Sequence, residues 1–263
     1  MDAAKLVAVY ANTPVINIPT SSATCAATAP LSVCYNDNFQ TVGTVHHMQE
    51  VNCVLVDMDI LKRQPMRLFL AGVYDALAKQ YELNQRMLGI EASQMDIGLL
   101  SSYKLSNFTF DFLTENLPAG CESIENQENT KILDDIVFVC VALTGVVSGL
   151  ARGSNQTAIA HKVYEVSRKL FPKEVYSKLH GEMVAVGLIA QLVFNNDSKK
   201  DDFITTLKAL KMPASLPDLG VKTDDKVIEM YYDAICNSSA MAGADEKDKK
   251  KLRMALNSIR GEI

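Results

Sequence analysis

Two histidines and one aspartate have the types and settings best suited to metal chemistry. His161 and His180 are two of only four histidines in the 263-residue chain. His161 lies in a helical pattern with a continuous apolar stripe, and His180 opens a segment that carries no charge from Met183 to Phe194. Such a segment is typical of a buried helix. A histidine beside an apolar helix is more often a packing residue than a ligand, so the histidines alone leave both interpretations open.

Asp75 adds a carboxylate to this pair. The segment PMRLFLAGVYDALAKQYE predicts a core helix in which Asp75 shares a face with Ala71, Gly72 and Ala78. A buried, unpaired carboxylate is costly, so Asp75 needs a cation, a hydrogen-bond network or a metal. One aspartate and two histidines leave an open coordination position on Zn or Fe(II), which is the arrangement of a catalytic metal site.

Four segments, in chain order, resemble the iron-containing alcohol dehydrogenases, in particular their glycerol-dehydrogenase-like branch. They are VINIPTSSATCAATAPLSVCY, VNCVLVDMDILKRQPMRLFLAGVYDALAKQYE, SGLARGSNQTAIAH and HGEMVAVGLIAQLVF. The resemblance implies a mainly α chain with the C-terminal helical domain of the dehydroquinate synthase-like fold. A short α/β remnant of the nucleotide-binding domain precedes it. We therefore expect a remnant at 1–57 and an all-helical metal-binding domain at 58–263.

The resemblance also implies an activity. The family is of metal-dependent, NAD(P)-linked alcohol or polyol dehydrogenases, in which a hydride passes between an alcohol carbon and the nicotinamide. Carried over to this chain, the metal ligands fall on Asp75, His161 and His180, and the ion is Zn or Fe(II). The expected partner is a small-molecule alcohol or polyol, and the metal is expected to bind the alcohol oxygen.

The cofactor side of the resemblance falls on the first 35 residues. It assigns Asp2, Thr20, Thr24, Ser32 and Tyr35 to the neighbourhood of NAD(P). Taken without the family, hydroxyl groups in such loops serve equally well as turn and cap residues.

The N-terminus departs from the family pattern. A strand and a Gly-rich turn of the form GGGKxxDxAK precede the first helix in the family, and only the second half is present here, from Asp2 to Lys5. Glycines at that turn let the backbone approach the pyrophosphate. We therefore expect a truncated dehydrogenase that binds NAD weakly or not at all. The alternative is a short, non-catalytic, metal-binding homologue. The segment DAAKLVAVYA itself predicts a helix capped by Asp2.

Two further departures concern the substrate. Cys25 stands where glycerol dehydrogenases have an aspartate that helps to bind the polyol, which argues against glycerol itself. Arg152 stands where the family commonly has an aromatic residue. A guanidinium there suits a phosphorylated polyol such as glycerol-1-phosphate, although a loop arginine that pairs with a surface acid is an equally good interpretation. His46 and His47 are adjacent on a predicted strand and therefore point to opposite faces, which argues against a metal pair.

Composition limits the classes of protein to which the chain can belong. Hydrophobic residues make up 48% and charged residues 22%, as in an ordinary globular protein. The net charge of -5 argues against nucleic-acid binding, and no run approaches the length of a membrane span. Six cysteines without C-x-x-C spacing predict reduced core thiols and a cytoplasmic protein. Unpaired strand edges left by truncation favour a homo-oligomer.

Local patterns predict three strands before about Asp57 and helices after it. The strands are expected at 14–18, 31–35 and 51–56. Beyond the Asp75 helix, the helices are expected at about 93–117, 129–150, 158–170, 181–195, 201–210, 224–236 and 246–259, with Pro118 as one of the breaks.

Overall fold

A computed structural model describes residues 1–37, 41–88, 90–151 and 156–261, and it is mainly helical. Before Asp57 the elements are α1 (Asp2–Ala11), β1 (Ile16–Asn17), β2 (Leu31–Tyr35), β3 (Thr41–His46) and β4 (Cys53–Val54). After it come α2 (Met58–Leu61), α3 (Met66–Met87), α4 (Ile97–Asn126), α5 (Lys131–Phe138), α6 (Thr144–Leu150), α7 (Ile159–Leu170), α8 (His180–Phe194), α9 (Lys200–Ala209), α10 (Asp225–Cys236) and α11 (Glu246–Ser258). The mainly α architecture predicted from the sequence is confirmed.

The N-terminal part contains two small pairs of strands. β1 and β4 pair in parallel, and β2 and β3 form an antiparallel hairpin in which Leu31 lies opposite His46. The predicted strands are all present, but β1 and β4 are only two residues long. Within β1, Asn17 is buried whereas Ile16 is 64% exposed.

Helices α3 and α8 form the centre of the helical part. α3 packs against α4 and α8, and α8 also packs against α7 and α11. From Met183 to Phe194 only Val193 is not fully buried, which confirms the predicted core helix. α7 and α8 approach very closely, since a Cβ on Gly187 would lie 2.3 Å from the Ala160 carbonyl oxygen. This contact fixes the spacing of the helices that carry the two histidines.

Helices α5 and α6 are joined without a break by a π-helical turn at Val139–Leu143. The continuous run Lys131–Leu150 has a mean hydropathy of 2.0 over its most apolar window and is long enough to cross a membrane. The prediction that no segment is long and apolar enough to span a membrane therefore has to be corrected for this helix. Half of the window is buried inside the protein, and the core helices of soluble proteins pass the same test.

Three local expectations were wrong in detail. α4 continues through Pro118 instead of ending before it. The side chain of Asp2 makes no cap hydrogen bond and instead pairs with buried Lys5 at 3.0 Å. All six cysteines are free, as expected, but only Cys140 is fully buried and Cys53 is exposed.

Candidate metal centre

Asp75 lies in the middle of α3 with only 3% of its surface exposed. The small residues around it let other parts of the chain approach this face. A Cβ on Gly72 would lie 1.8 Å from the carbonyl oxygen of Ser22. A carboxylate at this depth is stable only with partners that offset its lost hydration. Its partners are two imidazole rings.

His161 and His180 converge on the same oxygen atom of Asp75. His161 Nε2 lies 3.3 Å and His180 Nε2 lies 3.1 Å from Asp75 Oδ1. One potential ligand atom from each of the three residues lies within 4.8 Å of the others. The structure thus brings together the three residues that the sequence singled out for metal binding. They come from three different helices, α3, α7 and α8.

Both histidines lie in the first turn of their helices, where backbone N–H groups need external acceptors. Glu82 Oε1 accepts from the N–H groups of Ala158 and His161, each at 2.8 Å. Gln191 Oε1 accepts from those of Ile159 at 2.8 Å and Ala160 at 3.3 Å. Two buried side chains therefore cap α7 and hold His161 in place.

The start of α8 is held by a different pair. Glu182 Oε2 accepts from the N–H of Leu179 at 2.8 Å, and Arg67 binds both carboxylate oxygens of Glu182. Gly181 lies directly on the backbone of α3, because its Cβ would be 1.8 Å from Ala71 O. Together these contacts set the position of His180.

Glu82 also reaches the imidazole ring of His161. Glu82 Oε2 lies 2.5 Å from His161 Nδ1, and Glu82 is fully buried. Glu82 was not among the site residues predicted from the sequence. Glu82 lies seven residues after Asp75, about two helical turns along the same face of α3. An acidic residue at that spacing in an otherwise buried helix is the signal that would have found it.

The charges in this cluster strongly shift the pKa values of its own residues. Burial alone would raise the pKa of the Asp75 carboxyl, but His180, His161 and Lys79 hold it well below its usual range. Burial likewise opposes ionisation of Glu82, and His161 outweighs it and lowers the Glu82 pKa. Burial disfavours protonated His161, yet Glu82 and Asp75 raise its pKa to about 9. The buried side chains therefore create a negative field that favours a cation.

The donor set fits a divalent metal. Two imidazole Nε2 atoms face one carboxylate, and a second carboxylate accepts from the far nitrogen of one imidazole. Metal-ligating histidines usually have such an outer partner. Zn and Fe(II) both accept nitrogen and carboxylate ligands of this kind, and three protein ligands leave coordination positions for a substrate.

Two tyrosines border the more open side of the cluster. His180 keeps 27% of its side chain exposed, and the ring of Tyr164 packs edge-on against it with centroids 4.2 Å apart. Tyr164 Oη lies 3.3 Å from Tyr35 Oη. Tyr35, which the sequence assigned to the cofactor side, is 48% exposed and so connects the hairpin to this edge of the cluster.

Cys25 lies in the short 3₁₀ turn Cys25–Ala27, close enough to Asp75 to respond to its charge. Burial, reinforced by the negative charge of Asp75, raises the pKa of the Cys25 thiol to about 11. The thiol is therefore neutral at physiological pH and acts as a small, weakly polar group beside the cluster.

The other predicted cofactor residues have internal contacts or lie at the surface. Thr24 Oγ1 accepts from Ala26 N at 3.1 Å and so caps its own turn. Ser32 is fully buried, donates to the Asp2 carbonyl oxygen at 3.0 Å, and lies 2.8 Å from His47 Nε2. Thr20 is exposed. A cofactor contact by any of them stays a prediction.

Two remaining expectations concern a loop and a histidine pair. Arg152 lies outside the described residues. His46 is exposed, whereas His47 is 4% exposed. The two rings therefore lie on opposite sides of the chain, as predicted for adjacent residues of a strand.

Sequence comparison finds relatives among dehydrogenases. The chain is 28% identical over 224 residues to glycerol dehydrogenase of Thermotoga maritima, covering 84% of this chain and 60% of the relative. It is 30% identical over 234 residues to hydroxycarboxylate dehydrogenase A of Escherichia coli, covering 87% and 64%. The chain thus spans about three fifths of the length of these curated relatives. No protein-family model matches it.

Structure comparison finds the same fold over nearly the whole chain. Glycerol dehydrogenase from Schizosaccharomyces pombe matches with a TM-score of 0.83 and 21% identity, covering 98% of this chain and 66% of that one. An iron-containing alcohol dehydrogenase from Corynebacterium glutamicum matches with a TM-score of 0.69 and 15% identity, covering 100% and 71%. At these identities the likeness establishes the fold.

Proposed function

Because the chain belongs to the iron-containing alcohol dehydrogenase family, in its glycerol-dehydrogenase-like branch, we propose that it supplies the metal-binding half of an NAD(P)-linked alcohol or polyol dehydrogenase. The observation that carries this proposal is the convergence of two imidazole Nε2 atoms on one oxygen of Asp75. The ligands are Asp75, His161 and His180. The ion is Zn or Fe(II), since both suit these donors.

Each residue around the centre has a role in this proposal. A divalent ion bound there supplies Lewis-acid chemistry by polarising the C–O bond of an alcohol or carbonyl substrate. Asp75 provides negative charge, and the two histidines provide neutral nitrogen donors. Tyr164 packs on the ring of His180 and excludes water from one side of it. The protein's remaining task is to place the reacting carbon against the nicotinamide, whose own chemistry transfers the hydride.

The substrate is proposed only as a class. One relative is named for glycerol and another for hydroxycarboxylates, so the shared chemistry is oxidation of a small alcohol or reduction of the matching carbonyl compound. Cys25 is proposed to face the substrate beside Asp75. A neutral thiol there cannot pair with a cationic group and favours a hydroxyl or an apolar carbon. Arg152 remains the residue that would select a phosphorylated or acidic polyol.

The cofactor is proposed to be NAD(P), held on the side of Tyr35. The OH group of Tyr35 lies close to that of Tyr164, and the ring of Tyr164 packs on His180. The nicotinamide half would therefore lie next to the metal-binding residues. Asp2, Thr20, Thr24 and Ser32 belong to the same N-terminal part and complete the proposed cofactor side. We place the protein in the cytoplasm, in keeping with its free cysteines.

The first test is a metal count on the purified protein, with zinc and Fe(II) titrations followed by calorimetry. The proposal expects about one ion per chain, lost in His180→Gln. His46→Gln is the matched control, because it is the same substitution at an exposed histidine that is not one of the three proposed ligands. Equal metal content in wild type and His180→Gln would overturn the assignment of the site.

The second test is a titration of the metal-loaded protein with NADH, followed by fluorescence. Binding in the micromolar range, with activity in a screen of small diols, polyols and hydroxy acids, would support a dehydrogenase. Metal binding without NADH binding would favour the alternative of a short, non-catalytic, metal-binding homologue. Gel filtration in the same buffer tests the expected homo-oligomer.

A further inference from the structure

We propose that Glu82 is a positioning residue that sets which nitrogen of His161 is free to bind the metal. This inference rests on the proposed metal site and goes beyond it, because Glu82 is not itself one of the three ligands. Its two carboxylate oxygens have different tasks: Oε1 caps helix α7, and Oε2 orients the imidazole ring of His161.

The capping task by itself does not require a carboxylate. The four N–H groups that open α7 are shared equally between Glu82 Oε1 and Gln191 Oε1. Gln191 is as deeply buried as Glu82 and performs its half with a neutral amide. A buried charge is much more costly than a buried amide. The charge at position 82 therefore needs a second reason.

The second reason is the ring of His161. A carboxylate is an acceptor only, so Oε2 at 2.5 Å requires that Nδ1 of His161 carries the proton. In a neutral ring this leaves the lone pair on Nε2. That is the nitrogen that lies 3.3 Å from Asp75 Oδ1, on the metal side. Glu82 thus fixes the tautomer in which His161 can act as a ligand.

A single isosteric change separates the two tasks. In Glu82→Gln, the amide oxygen can still accept from Ala158 N and His161 N, so the cap is kept. The amide NH₂ then replaces Oε2 and donates to Nδ1 of His161. The ring proton then moves to Nε2, and His161 would no longer offer that nitrogen's lone pair to a metal. Rotating the amide would relieve this only by placing NH₂ against two backbone N–H groups.

The experiment measures the dissociation constant for zinc in wild type and Glu82→Gln by competition with a chelator. We expect Glu82→Gln to weaken zinc binding roughly 10- to 100-fold, the range for losing an outer partner of a metal-bound histidine. Its far-UV spectrum is expected to match wild type. Gln191→Leu is the matched control, because it removes the other half of the same cap. It should lower Tm but weaken zinc binding less than Glu82→Gln does, because it leaves the Nδ1 partner of His161 in place.

A measurement on the wild type keeps the proposal open to refutation even if Glu82→Gln fails to fold. In Co(II)-substituted protein, the Nδ1–H of a ligating histidine gives a paramagnetically shifted, exchangeable proton signal. Burial against Glu82 predicts a slowly exchanging signal that disappears in His161→Gln. Absence of such a signal from wild type would overturn the proposal.

The possible failures are distinguishable. If the wild type binds no metal, the proposed function fails and this inference fails with it. If the wild type binds zinc and folded Glu82→Gln binds it equally well, the metal site stands and only the positioning role of Glu82 is wrong.

Discussion

The first turn of α8 lies so close to α3 that one added methyl group tests how the two helices hold the centre together. A Cβ at Gly181 would lie 1.8 Å from the carbonyl oxygen of Ala71 and 2.7 Å from its Cα. Both are backbone atoms, so no side-chain rotation relieves the clash. Gly181 follows His180 directly, and Ala71 lies about one turn before Asp75. Gly181→Ala should therefore disturb stability and metal binding together.

The magnitude follows from these distances. Ordinary contact begins at 3.4 Å, so the helices must separate by about 1.6 Å, the difference between 3.4 Å and 1.8 Å. Overpacking a core costs ~1–3 kcal/mol, and a backbone contact belongs at the upper end, at about 3 kcal/mol. In a protein of this size, that loss lowers Tm by roughly 6–12 °C. The same movement takes His180 away from Asp75, and we expect zinc affinity to fall by about tenfold or more.

Chemical denaturation and zinc competition measure the two effects. Gly149→Ala is the control, because Gly149 also lies in a helix but a Cβ there meets nothing within 4 Å. That variant should be neutral or stabilised by up to about 1 kcal/mol, since alanine is the better helix former. A Gly181→Ala protein within ~0.5 kcal/mol of wild type, with unchanged zinc affinity, would refute the reasoning.

Three further predictions concern the charges around the centre. Asp75→Asn should lower zinc affinity by about a hundredfold or more, because it removes the carboxylate that both histidines face; elemental analysis after dialysis measures this. The carboxylates beside His161 outweigh its burial and raise its pKa from 6.5 to about 9, so its protonation stabilises the metal-free fold fully below pH 6.5. That contribution is lost as the pH rises through 9, and equal Tm–pH slopes above 6.5 in metal-free wild type and His161→Gln would contradict it. Glu182→Ala removes the acceptor for Leu179 N and the partner of Arg67, and should cost about 1–3 kcal/mol in urea unfolding; an unchanged midpoint would show that this pair does not hold α8.

Much of the secondary structure could be predicted because its causes are local. The helix α1 has the bounds of the predicted segment DAAKLVAVYA, and α7 and α8 follow from the stripe around His161 and the uncharged run before Phe194. The strand β2 likewise matches its predicted range. In each case the pattern of neighbouring side chains decides the structure, so a short window of sequence is enough.

Other elements depended on distant contacts. A proline inside a helix removes a hydrogen bond and costs ~3 kcal/mol, which is why Pro118 predicted a break. The helix α4 nevertheless continues, because the turn beyond Pro118 is packed in the core. A Cβ on Gly120 would lie 2.4 Å from Ile136 and 2.9 Å from Phe69. Burial of this second half outweighs the local penalty.

The candidate metal centre likewise depends partly on local sequence and partly on distant contacts. The sequence by itself singled out Asp75, His161 and His180, because charged or ionisable groups in apolar helices need a reason to be there. Only the tertiary structure decided that the three side chains face one another, and that Glu82 reaches His161 from two turns along α3. It also placed Ser32 inside the protein, in contact with His47. The physical reason is that helix periodicity determines which face of each helix is buried, whereas the crossing of α3, α7 and α8 determines which buried polar groups meet.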